Sequence, residues 1–596
     1  MSAPNVPASA KPRAFVLGDD LRWRVPGRID LTVLAIIAAV IALPLRGLYA
    51  STGSTMEEGF MLVFPERVAA GDVPNVDFLH LYGPASLGVL ARWYELFGHS
   101  LASERTFGLL QHIGVIFAVY ALTRAWGRIA ATSCAVACTL LVLTPIGLSA
   151  LGWEGGVALG LWSIVFAVRS HNIAQQQHGH ERASSARRNI VVAGLLAGLA
   201  LCFRPDLVIA LGLAHGWLLL RRRRRQWRGF AVGIGLGIIP MVAHIIRAGI
   251  VPSIRGMVLD PVVYLRPGRE LPRPPSWSVI DGALQAVAEG PPPWWRLPAI
   301  SASHQLFIWF FLMIIVAVIH VVVAFFALRR VGNHARAVTM MVAALFGLGL
   351  IPQGLQRPDS THLAWVTCVG FALLPVSFIE VSQWRLPRLG ARPRALIGGA
   401  LVALLLLVVC PFFTYRAYLL QARVAVGNKP VPFEVQHNGR QFWMGEYHAA
   451  KASNALIADL AAMSSPGQRL LVGPADLSRT IYSDVMFYYM FPELTPATYF
   501  IEMDPGLADQ EGSRLASDLQ SADWVILSNL WTGWKEPNAS SKHGSEVPNQ
   551  IMADHFCRVG TYENGLMLLY RRCTTGDGVN PADVGEPSAH QREAGG

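Results

Sequence analysis

Residues 55–84, TMEEGFMLVFPERVAAGDVPNVDFLHLYGP, gather the groups best suited to proton transfer. Glu57 and Glu58 are adjacent, so repulsion between them favours proton uptake by one, and partial desolvation beside a bilayer raises a carboxyl toward the pKa of a useful base. Asp77 and His80 follow, and Tyr82-Gly83-Pro84 turns the chain into the next apolar stretch. A second cluster, LQRPDSTH, carries Arg357, Asp359 and His362. Arginine binds phosphate bidentately through its planar fork, and Arg204, Arg255, Arg266 and Arg269 are further cations within reach of the same side. Each group also has a plain reading. Glu57 and Glu58 suit a helix N-terminus, and Asp77 suits the start of a turn. His80 and His362 suit packing, Arg357 suits snorkelling, and Arg204 with Asp206 suits an interfacial ion pair.

The elements that must hold these groups are apolar. Of the 596 residues, 53% are hydrophobic and only 15% are charged, against a globular norm of about 25% charged. Eleven runs are apolar enough to span a bilayer, at 31–50, 106–123, 129–150, 153–168, 190–204, 206–220, 229–247, 305–328, 337–352, 362–381 and 395–414. The net charge of +11 does not point to nucleic acid. Its arginines cluster in short loops, at 124–128, 182–188, 221–228, 329–336 and 385–394. All these loops fall on one side, which the positive-inside rule makes cytoplasmic. The first 28 residues are polar and no cleavage site follows the first apolar run, so a cleaved signal peptide is not expected.

On the opposite side lie two long loops, 51–105 and 248–304. Loops this long are usually functional. The first is expected to contain two surface-lying amphipathic helices, 57–70 and 84–97, the latter with Leu87, Leu90, Tyr94 and Phe97 on one face. The second carries Trp294 and Trp295, expected at headgroup level. After residue 415 the composition becomes globular. The β-type runs Arg469 to Val472, Trp524 to Leu527 and Leu566 to Tyr570 alternate with a helical pattern over Ser453 to Ala462, which reads as a small α/β module. Cys557 and Cys573 flank a hairpin-like stretch, and an oxidising compartment leaves their pairing open. The other five cysteines lie in apolar runs and suit packing.

The pattern Glu57-Glu58-Gly59, Arg67 with Gly71, Pro74, Asp77-Phe78 and Tyr82-Gly83-Pro84 after a first span resembles the GT-C superfamily of membrane glycosyltransferases. The stretch GLLAGLALCFRPDLVIALGLAHGWLLLRRRRR is similar to a paired-helix segment of those enzymes. The resemblance covers roughly 30–415. It implies an α-helical polytopic membrane protein of about 11 transmembrane helices with a small extracytoplasmic α/β domain. It also implies inverting transfer of a hexosyl or pentosyl group from a polyprenyl-phosphate sugar to a cell-envelope glycan or lipid acceptor. The base of the family maps to Glu57. Many members have aspartate there, so Glu58 and Asp77 remain alternatives. The phosphate would fall to Arg357, Arg204, Arg266 and Arg269, and substrate contacts to His80, Tyr82, Asp359 and His362. Whether a divalent cation takes part stays open.

The expected organisation is a cytoplasmic tail at 1–29, a GT-C-like transmembrane domain at 30–415, an extracytoplasmic α/β domain at 416–575 and a disordered tail at 576–596. The expected setting is a plasma membrane, crossed many times, with the N-terminus cytoplasmic. A lipid or glycan transporter or flippase is the main alternative, although no internal repeat is evident. A non-catalytic envelope assembly protein is the third.

Overall fold

The computed structural model describes residues 16–17, 23–24, 27–175, 180–221, 224–282, 300–332, 334–430 and 432–573. Trp294 and Trp295, most of the 1–29 segment, Arg222, Arg223 and the 576–596 tail lie outside the described residues.

Each apolar run forms a helix. Among the described residues, eight helices are long and apolar enough to cross a bilayer: Arg28–Tyr49, Leu101–Trp126, Gly152–Gln175, Ala183–Phe203, Ala302–Val331, Ala335–Gln356, Ser360–Arg385 and Ala391–Val409. Two shorter apolar helices, Arg128–Leu143 and Pro205–Leu220, stand beside them. The remaining run is a pair, Gln226–Gly237 and Ile239–Ala248, bent by 43°. The bend sits where Pro240 opens the second helix and removes a backbone donor. These elements define a multi-pass membrane protein. Its basic end is tied by buried ion pairs: Asp30 accepts from Arg124 at 3.3 Å and from Arg128 at 2.6 Å. There Trp126 Nε1 also donates to Glu380 at 2.6 Å.

The C-terminal module begins with a helix, Ala417–Ala425, that doubles back on the first span, where Tyr418 donates to the Val40 carbonyl at 2.7 Å. Strands β1 (Phe433–His437) and β2 (Arg440–Met444) form a hairpin. Its two-residue turn is Asn438-Gly439, both at positive φ, the backbone that matches strand twist. The helix Tyr447–Met463 follows, its N-terminus capped by Glu446, which accepts from the backbone of His448 and Ala449. The main sheet comprises β3 (Arg469–Pro474), β4 (Thr495–Pro496), β5 (Trp524–Ser528), β6 (Phe556–Tyr562) and β7 (Met567–Arg572), in the order β4-β3-β5-β7-β6. Strand β3 runs parallel to β4 and β5, and β7 runs antiparallel to both its neighbours. Strands β3 and β5 are almost wholly buried, as strands covered on both faces must be. Cys557 and Cys573, at the open end of the β6–β7 hairpin, are disulfide-bonded.

The first long loop, 51–105, departs from the expected picture in one respect. Its helices span Glu57–Ala70 and Pro84–Phe97 as expected. The first, however, does not lie on a lipid surface. Every residue from Glu58 to Pro65 is buried, and a helix apolar all round belongs to an interior. Met56, Phe60, Met61, Leu62, Val63 and Phe64 share one core with Phe442, Leu456, Val472 and Tyr489 of the C-terminal module. In the second helix Leu87, Leu90 and Tyr94 face inward, but Phe97 is 62% exposed at the helix end, its ring tilted against Trp93 at 4.0 Å between centroids.

The pairing of Cys557 with Cys573 fixes a thiol count. Alkylation of the unfolded, unreduced chain should label five cysteines, and prior reduction should raise the count to seven. Mass spectrometry reads both states, and seven labels without reduction would contradict the bond.

Candidate active site

The site is assembled from Glu57 outward. Ser54 stands three residues before Glu57, and its hydroxyl accepts from the Glu57 N–H at 3.1 Å while donating to the Glu57 carboxylate. That exchange closes the helix N-terminus and fixes the side chain. The other carboxylate oxygen accepts from the Tyr482 hydroxyl at 2.5 Å. Burial pushes the Glu57 carboxyl up from the ordinary glutamate value. The Tyr482 hydrogen bond and the charges of Arg269 and Arg357 oppose that rise. Glu57 is thus a half-buried carboxylate held by two hydroxyls, with cations nearby.

Glu58, its neighbour, faces the opposite way. It forms a bidentate pair with Arg105, 2.8 Å at each oxygen, and both side chains are buried. Arg105 also donates to the carbonyls of Leu48, Tyr49 and Ser51. The pair therefore locks the end of the first span to the start of the second. Asp77 is exposed and accepts from the Val73 N–H at 2.7 Å, capping a turn. Neither carboxylate approaches Glu57's partners.

The cations also separate by how far they are already satisfied. Arg357 donates to Glu536 at 2.5 and 2.9 Å, to Asp359 at 2.9 Å and to the Arg269 carbonyl at 2.7 Å. Burial works against its charge, but Glu536 and Asp359 together push the guanidinium above its ordinary value. Asp359 in turn caps the helix that starts at Ser360 and accepts from His362 Nδ1 at 2.8 Å. Against the cost of burial, His362 and Arg357 hold the Asp359 carboxyl down at about 2. Arg204 makes two 2.9 Å bonds to Asp206 and lies between the rings of Tyr82 and Trp153, 4.5 and 5.1 Å from their centroids. Arg266 is a surface residue 3.5 Å from Glu270. Arg269 is the least committed of these: its closest carboxylate, Asp504, is 3.7 Å away. Its remaining contacts are the Met56 sulfur at 3.8 Å and the Tyr482 ring, 5.4 Å to the centroid.

Tyr82 completes the wall beside Arg204. Burial pushes its phenol up, Arg204 opposes this, and the charges of Glu502, Asp504 and Glu57 add to the rise. His80 is buried edge-on against Phe64 and Tyr82, and burial drives its imidazole down to about 3, so it is neutral. Glu154, in the first turn of Gly152–Gln175, accepts from Trp365 Nε1 at 2.6 Å.

The C-terminal module contributes residues that sequence reasoning missed: Tyr482, Glu502, Asp504, Trp531, Trp534 and Glu536. All follow the C-terminal ends of the parallel strands β3, β4 and β5. In open α/β sheets those ends are where ligands bind, and that rule, applied to the expected strands, was the available signal. Glu502 and Asp504 flank Met503, whose φ of 52° is in the left-handed region that non-glycine residues seldom adopt. Burial raises both carboxyls. Asp504, opposed by Arg269, reaches about 6, and Glu502 rises further under the charge of Asp504. Two glycines permit the approach of the two halves. A Cβ on Gly59 would meet the Met486 nitrogen at 2.8 Å, and one on Gly268 would meet the Pro505 carbonyl oxygen at 2.8 Å. At the rim of this junction, an open groove of about 590 Å³ is lined by Glu270, Arg273, Asn538 and Lys542 among others. Among the described residues no group of three or more His, Cys, Asp or Glu is arranged to hold a metal ion.

Fold and site together define a polytopic helical membrane protein whose small α/β module closes over one end of the bundle. Three solved structures are similar to it over 91% of this chain. ArnT from Cupriavidus metallidurans bound to undecaprenyl phosphate is 14% identical, with 98% of that chain covered and a TM-score of 0.47. The same protein in the apo state is 14% identical, with 97% covered and a TM-score of 0.42. The Archaeoglobus fulgidus oligosaccharyltransferase complexed with zinc and sulfate is 12% identical, with 73% covered and a TM-score of 0.43. No family model matches the chain, and no curated protein matches it significantly.

The Asp504 carboxyl gives a stability test. Its pKa in the folded protein, about 6, exceeds the unfolded value of about 3.9. Its contribution is therefore fully present below the unfolded value and is lost as the pH rises through about 6. Asp504→Asn should be more heat-stable than wild type at pH 7.5, with the gap closing toward pH 4.5. Thermal unfolding in detergent checks this, and a gap equal at both pH values would contradict it.

Proposed function

We propose that the protein is a GT-C-type glycosyltransferase that moves one sugar from a polyprenyl-phosphate donor to a hydroxyl of a cell-envelope glycan or lipid. One observation carries the reading: a half-buried carboxylate, Glu57, raised in pKa by burial and hydrogen-bonded to Tyr482, stands near a loosely held cation, Arg269. In this scheme the acceptor hydroxyl gives its proton to Glu57 as its oxygen attacks the anomeric carbon. The bond from that carbon to the phosphate oxygen breaks, and the polyprenyl phosphate leaves with the electron pair, its charge balanced by Arg269. A single displacement of this kind inverts the anomeric centre.

Roles for the other residues follow from their commitments. Arg357, Asp359 and His362 act as a positioning cluster that holds Arg269's backbone and Glu536 in place. Arg204, Tyr82 and His80 form the neighbouring wall, and Arg266 is placed for a first encounter with a phosphate at the surface. Glu58 and Asp77 are assigned to folding. We infer that the basic end faces the cytoplasm and the C-terminal module the outer side, since a disulfide suits an oxidising compartment. A transporter has less support, since no internal repeat is evident in the sequence.

The test is sugar transfer from a panel of labelled polyprenyl-phosphate sugars by purified protein in lipid. Glu57→Gln should slow transfer by about 100- to 10,000-fold, the span of general-base catalysis, while the protein still folds. Asp77→Asn should stay within about twofold, while Glu58→Gln should lose about 3–5 kcal/mol of stability by breaking a buried pair. Equal transfer by wild type and Glu57→Gln would remove the base assignment.

A further inference from the structure

The loop after β5, residues 529–538, carries more than the anchor Glu536. Trp531 and Trp534 project from it toward Tyr482. The Tyr482 and Trp531 ring centroids are 5.0 Å apart, Tyr482 and Trp534 5.6 Å, and Trp531 and Trp534 4.8 Å at 79°. Both indoles are partly exposed, unlike Trp524 in the strand before them, which is fully buried. Tyr482 connects this cluster to the Glu57 carboxylate.

The loop is held rigidly. Trp531 Nε1 donates to Asp484 at 3.1 Å, the Trp534 N–H donates to the Trp531 carbonyl at 3.0 Å, and Arg479 donates to the Trp534 carbonyl at 3.0 Å. Its far end is tied to the membrane domain by Glu536 on Arg357 and by Asn538, which donates to the Glu270 carbonyl at 3.0 Å. Both indoles pack against the core beneath them and keep part of their surface open on the Tyr482 side. Ligand sites combine such apolar, aromatic walls with a few fixed polar groups, and Trp and Tyr give large contact area at low entropic cost.

Resting on the transferase reading above, we propose that Trp531, Trp534 and Tyr482 form a subsite for one sugar ring. The ligand class is a pyranose or furanose whose C–H face lies on the indoles while its hydroxyl edge faces Glu57 and Arg269. The ring belongs to either the donor or the acceptor.

Saturation-transfer NMR on the full chain in nanodiscs tests this with two probe sets. One is a panel of methyl pyranosides and furanosides, and the other is the same sugars as 1-phosphates. Wild type should transfer saturation to ring C–H protons of at least one sugar, Trp534→Phe should retain the signal, and the Trp531→Ala/Trp534→Ala double variant should lose at least threefold. A donor ring predicts stronger signal from the 1-phosphate, reduced in Arg269→Ala, and an acceptor ring predicts equal signal from both sets. Silence from both sets, or a double variant within twofold of wild type, overturns the subsite. Glu57→Gln separates the two readings, since it should keep this signal while losing transfer. Transfer lost in Glu57→Gln with a signal indifferent to the tryptophans would leave the base standing and remove the subsite.

Discussion

Arg357 carries a carboxylate from each half of the protein. Asp359 reaches it from the same turn, and Glu536 reaches it from the loop after β5. Three buried charges in one place are costly unless all are paired, and here each depends on the others. Removing the C-terminal module would leave Arg357 half-paired and would uncover the apolar helix Glu57–Ala70, which shares a core with that module. The membrane bundle and the α/β module are therefore one packing unit at this end, although a composition change near residue 415 separates them in sequence.

This arrangement decides which groups are free for chemistry. Arg357, Arg204 and Arg105 are paired with carboxylates, Glu58 with Arg105, and Asp359 with Arg357 and His362. Their charges hold elements together. Glu57 and Arg269 are different: one is held by hydroxyls, the other by a 3.7 Å contact, a sulfur and a ring. Desolvation at the junction, which raises Glu57, Glu502 and Asp504 together, is a consequence of the same closure.

The spans were legible because a run of about 20 apolar residues has few other fates, and the strands because β-type runs recur between helical patterns. The acid pair after the first span drew attention to Glu57, whose place in the site remains a proposal. That Glu58 belongs to Arg105 was not legible, because the two are 47 positions apart and meet only when the first two spans pack. The helix 57–70 was misread as membrane-surface because its cover, Tyr489 and its neighbours, comes from some 400 residues later. Tyr482, Glu502, Trp531 and Glu536 escaped for the same reason: each is an ordinary loop residue until the sheet docks. Arg357 looked like a phosphate ligand because its sequence neighbours do not reveal Glu536.

The most direct test of a site shared across this boundary is a double-mutant cycle on sugar transfer, with Glu57→Gln, Tyr482→Phe and the pair measured in lipid with polyprenyl-phosphate sugars. If Tyr482 acts through the Glu57 carboxylate, the pair should lose about what Glu57→Gln loses alone, because the hydroxyl has nothing left to orient. Losses that multiply would mean that the two residues act separately and that the module does not complete the site.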